Sequence, residues 1–66
     1  MTKDQIKQTR TALGRTQKQM AEVFGVSMQT FHRWEAGHTQ PSKRDRENLE
    51  RLYQKYVLTG EKEVVK

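Results

Sequence analysis

Residues 16–34, TQKQMAEVFGVSMQTFHRW, decide how this chain folds. The spacing predicts two short helices with one break between them. Thr16 and Gln19 make a Thr-x-x-Gln capping box, which satisfies free N–H groups at the start of a helix reaching about Phe24. Gly25 supplies the left-handed residue that ends it. Ser27 is the next N-cap and opens a helix reaching about Trp34. Only Gly25 and Val26 separate the first helix from the second cap. Two helices joined so tightly must cross steeply, which is the geometry of a helix-turn-helix.

Each of these helices has one apolar face. Met20, Ala21 and Phe24 form the buried stripe of the first, and Phe31 and Trp34, with Thr30 beside them, form that of the second. Val26, apolar in a turn, is expected to plug the core. Phe31 and Trp34 lie near a basic surface, where aromatic rings can stack on bases, but their helical spacing with Val26 and Leu49 assigns them to the core. Met28, Gln29, His32 and Arg33 point the other way. The second helix thus presents a polar edge of the kind that enters a major groove.

Outward from this pair the chain stays helical. A first helix is expected over about Thr2–Leu13, capped by Thr2, carrying Asp4 and Gln5 in its first turn and Ile6 and Leu13 on one face, and ended by Gly14. Gly37 closes the motif, and His38–Pro41 form a loop. A fourth helix is expected from near Ser42 to about Leu58, with Leu49, Leu52, Tyr53 and Tyr56 spaced i, i+3, i+4, i+7. Its tyrosines are expected in the core or at a dimer surface. No segment alternates apolar and polar residues, so the fold class is all-α, with four helices and a short fifth turn. Residues 1–60 make one domain, and residues 61–66 are a short charged tail with exposed valines and no expected order.

Size and charge narrow the function. Sixty-six residues cannot build a deep pocket and keep a core, which weighs against an enzyme. There is no cysteine, and His32 and His38 lack companion ligands for a metal, so neither metal nor cofactor is expected. No apolar run has membrane-spanning length and no signal-peptide pattern opens the chain, so the expected location is the cytoplasm, with no membrane partner. Net charge is +5 and the pI near 9.9. Residues 1–44 hold eight Lys or Arg against three acids, whereas residues 45–66 hold five of each. All the excess positive charge therefore lies in the part that carries the motif, as a polyanion binder requires.

The run TQKQMAEVFGVSMQTFHRWEAGHTQP resembles the phage repressor and Cro-type helix-turn-helix family, the XRE-like family. The match lies in a Gln just after the helix 2 cap, Ala-Glu in mid-helix, Gly-Val-Ser at the turn, Trp-Glu at the end of helix 3, then Gly and Pro, all in register. It extends over about residues 3 to 58. The resemblance implies a compact four- to five-helix, lambda-repressor-like DNA-binding domain. It makes Ser27–Arg33 the recognition helix and gives Gln17 the place of a Gln that holds a DNA phosphate and braces that helix. It matches Arg10 and Glu35 to a partly buried ion pair between helices 1 and 3. Helix 4 reads as longer and more continuous than in the phage repressors.

Candidate contacts follow. Gln29 has the amide geometry to pair with adenine, and Arg33 to pair with guanine or to hold a phosphate. Met28 is placed to touch a thymine methyl group, and His32 to donate to a base or phosphate or to stay idle. Gln17, Lys18, Ser27, Thr39, Lys43 and Arg44 are the phosphate candidates. Gln17 and Ser27 sit at helix N-termini, which favour anions. Lys43 and Arg44 open helix 4, where a bound phosphate would offset the unfavourable helix dipole. The leading expectation is a sequence-specific transcriptional regulator, a repressor that binds an inverted-repeat operator in double-stranded DNA as a homodimer. The alternative is a protein-interaction module of the same fold, such as the DNA-binding antitoxin of a toxin pair or an adaptor.

Overall fold

The computed structural model describes residues 1–60. Helix α1 spans Lys3–Ala12, α2 Gln17–Phe24, α3 Met28–Ala36 and α4 Lys43–Tyr53, and a π-helical turn covers Gln54–Leu58. No strand occurs among the described residues. The all-α reading holds.

The caps explain where the helices begin. Thr16 Oγ1 accepts from the Gln19 N–H at 3.1 Å while Gln19 Oε1 accepts from the Thr16 N–H at 2.9 Å. Thr2 and Gln5 make a second such box, at 3.2 and 2.8 Å, from the same Thr-x-x-Gln spacing. Ser27 accepts from the Thr30 N–H at 3.1 Å and Ser42 from the Asp45 N–H at 3.3 Å. Gly25, at φ +68°, turns the chain between α2 and α3. That backbone conformation strains any residue with a Cβ.

The core takes side chains from all four helices: Ile6 from α1, Met20 and Ala21 from α2, Phe31 and Trp34 from α3, and Leu49 from α4. Phe31 is wholly buried. Its ring lies 5.5 Å from that of Trp34 and 6.4 Å from that of Phe24, centroid to centroid. Leu13, Phe24 and Val26 pack partly buried against this cluster. Thr9, polar and therefore silent in an apolar pattern, is fully buried. Its hydroxyl donates to the Gln5 carbonyl at 2.8 Å, which removes the cost of burial. Pro41, expected only as loop, is buried as well.

Helix 4 differs from its expected form. The α-helix ends at Tyr53, and the chain winds on in a wider turn to Leu58. The Gln54 carbonyl fixes that turn by accepting both the Thr59 N–H at 2.9 Å and the Thr59 hydroxyl at 2.7 Å. The wider winding changes the phase of the last side chains, so Tyr56 and Val57 are both half-buried where the turn meets α1. The apolar stripe of this helix is also less covered than its spacing suggests: Leu49 is buried, whereas Leu52, Tyr53 and Tyr56 are half-buried. The tail expected at residues 61–66 lies outside the described residues.

Replacing Phe31 by Ala should cost about 3–5 kcal/mol, through lost transfer energy and the cavity left behind. A chain of this length has roughly 3–10 kcal/mol in total. Phe31→Ala should therefore unfold at a much lower urea concentration than the parent at 25 °C, in a titration followed by Trp34 fluorescence. A parental midpoint would contradict this core.

Candidate nucleic-acid interface

Helix α3 divides cleanly. Phe31 and Trp34 hold one face in the core, and Met28, Gln29, His32 and Arg33 are exposed on the other. Met28 is 54% exposed although it is apolar. Ser27 both caps the helix and lies 2.9 Å from the Thr30 hydroxyl, where either oxygen can donate. The leading edge of α3 is thus fixed by its own cap and left open to solvent.

The far end of α3 is fixed by a carboxylate. Glu35 sits in the last turn, where the helix dipole disfavours an anion. Arg10 from α1 compensates with two contacts, Nε to Oε2 at 2.6 Å and Nη2 to Oε1 at 3.3 Å. The same guanidinium donates through Nη1 to the Arg15 carbonyl at 3.0 Å, in the turn before α2. Gln17, the first residue of α2, donates Nε2 to Glu35 Oε1 at 3.1 Å. The side chains of Arg10 and Glu35 are only 17% and 6% exposed. One carboxylate thereby joins α1, the following turn, the start of α2 and the end of α3. Its partners lie 18 and 25 residues away in sequence, and the Arg15 carbonyl carries no side-chain signal, so neither the Gln17 bond nor the Arg15 bond is evident from spacing. Gln17 keeps its second amide proton and its oxygen for another ligand.

The remaining candidates flank this frame. Lys18, Thr39, Lys43 and Arg44 are exposed. Ser42 and Arg44 line the same shallow depression as Gly25 and Val26. The start of α4 therefore lies beside the turn that leads into α3, which sets two capped helix N-termini near one another. His38 lies in the loop, where its backbone N–H donates to the Arg33 carbonyl at 3.0 Å. Among the described residues no group of three His, Cys, Asp or Glu is placed to hold a metal ion, and no helix is long and apolar enough to cross a membrane. None of their buried side-chain nitrogen or oxygen atoms lacks a hydrogen-bond partner.

The profile of a protein family described as a helix-turn-helix domain matches residues 4–61 and so takes in all four helices. Comparison with curated proteins and with solved structures found no match. A helix-turn-helix domain is a DNA-binding module whose second helix is built to lie in the major groove.

The carboxylate junction has a measurable consequence. Glu35→Ala would leave the Arg10 guanidinium nearly buried without its counter-charge and would release Gln17. The variant should lose about 2 kcal/mol of stability, read as a lowered melting midpoint. Replacing Arg10 and Glu35 together by Met and Leu should recover part of that loss. A midpoint that does not move in Glu35→Ala would mean the junction contributes nothing.

Proposed function

The chain belongs to the XRE/Cro-like helix-turn-helix family, and from that premise we propose that it is a transcriptional regulator reading a specific duplex DNA sequence, acting as a repressor. The observation that carries this reading is the exposed edge Met28, Gln29, His32 and Arg33 on a helix whose opposite face is locked in the core. In this reading α3 enters the major groove. Gln29 pairs with adenine N6 and N7, and Arg33 with guanine O6 and N7 or with a phosphate. Met28 meets a thymine methyl, and His32 donates to a base or phosphate. Gln17, Lys18, Ser27, Thr39, Lys43 and Arg44 hold the backbone and set the register.

One recognition helix covers too few bases for tight binding. We place two copies on an inverted repeat with half-sites about 34 Å apart. Leu58, 66% exposed at the end of the π-helical turn, is the dimer contact we assign. The alternative, a DNA-binding antitoxin or an adaptor, needs a second surface for a protein partner. Either role is exercised in the cytoplasm, where the DNA is, and neither needs a cofactor.

Selection of bound duplexes from a random pool should return one inverted repeat. Gln29→Ala should weaken binding to it by about 1–3 kcal/mol while leaving non-specific binding intact. Lys43→Ala should weaken all sequences alike and flatten the log–log salt slope by about 0.9. An unstructured pool, or full affinity in the double variant Gln29→Ala/Arg33→Ala, would remove the proposal.

A further inference from the structure

On the side formed by α2 and α4 the surface changes character. Three shallow depressions run together through Val23, which lines all of them. Their apolar residues include Leu13, Met20, Val23, Phe24, Leu52 and Tyr56. Val23 is 53% exposed, the most open apolar side chain of α2. It has no part in the core and none in the DNA edge of α3. The result is a groove with an apolar floor between two helices, the shape into which an amphipathic helix lays its apolar face.

The charge along this groove selects the occupant. Arg44 and Arg51 are among its lining residues, and the Lys55 ammonium lies 5.4 Å from the ring centroid of Tyr56. Asp45 is the one acid among the described lining residues, and its carboxylate already accepts the Ser42 hydroxyl at 3.1 Å. A second copy docked here about a two-fold axis would bring the same positively charged surface to both sides of the interface, with Asp45 as the one described lining acid to offset it. DNA phosphates would gain nothing from the Val23–Leu52 floor. We infer that the groove between α2 and α4 is a docking site for a partner protein's amphipathic helix, apolar on one face and flanked by Asp or Glu. This inference is independent of the DNA reading. It supplies the surface that an antitoxin or an adaptor would need, and a repressor can carry it as well.

The test uses the full chain, free of DNA, and two synthetic helical peptides. Both carry leucines at i, i+3, i+4 and i+7; one is flanked by glutamates and the other by lysines. In an amide NMR titration the glutamate peptide should shift the resonances of Val23, Asn48 and Leu52, and the lysine peptide should bind at least about tenfold more weakly. Val23→Asp, at an exposed site, should abolish binding without moving the melting midpoint. Arg51→Glu should narrow the preference between the peptides. No binding, equal binding by both peptides, or shifts confined to α3 would overturn the inference. A dimer dissolved by Val23→Asp in sedimentation would assign the groove to a second copy instead. Nuclear Overhauser contacts from Val64 or Val65 to Val23 in the free chain would assign it to the chain's own tail. Either result would also overturn the inference.

Discussion

Everything exposed on α3 depends on how the helix is held from behind, and its C-terminal end is held by one carboxylate. Glu35 takes hydrogen bonds from Arg10 and Gln17, and Arg10 also grips the carbonyl of Arg15. A hydrophobic trio of similar volume would supply part of the same stability, since desolvating a pair this buried offsets much of its Coulomb gain. What such a trio lacks is direction. The guanidinium fork and the amide meet the carboxylate in one arrangement, so α1, α2 and α3 share one orientation. The rings of Phe31 and Trp34 supply the energy, and the polar junction supplies the register.

The same economy governs the rest of the domain. Among the described residues of the helices six apolar side chains make up the buried core, so each helix gives only one face to it. The outer edge of α3 and Val23 of α2 stay exposed. On α3 the exposed face is polar and suited to base edges. On α2 and α4 it is apolar and ringed by arginines. The two surfaces suit different ligands: a groove in a polyanion for one, and an acidic amphipathic segment for the other. Arg44 stands where they adjoin, beside the turn into α3.

Much of this was legible in the chain because the signals are local. A cap needs residues three apart, a left-handed stop needs a glycine, and a helix face shows in its period. The starts of α2, α3 and α4 therefore lie where Thr16, Ser27 and Ser42 put them. What did not show is non-local or polar. Thr9 is buried because its hydroxyl finds a carbonyl one turn back, which no apolar pattern marks. The end of α4 widens into a π-helical turn because the Gln54 carbonyl accepts twice from Thr59, and a continuous stripe of Leu and Tyr gives no hint of that. Of the site, the exposed edge of α3 could be read from helical phase alone, and the pairing of Arg10 with Glu35 came only through family resemblance. The bracing of α3 by Gln17 came through the same resemblance, and only its partner, Glu35, needed the folded chain.

A regulator of the kind proposed requires that the open edge of α3 touches bases. The most direct measurement is the set of intermolecular nuclear Overhauser contacts in a complex with a duplex the protein selects. Contacts from the side chains of Met28, Gln29 and Arg33 to base protons in the major groove, with none from Val23 or Leu52, are the result this structure predicts. A complex in which the α3 side chains show no base contacts, while α4 or the α2–α4 groove does, would contradict it.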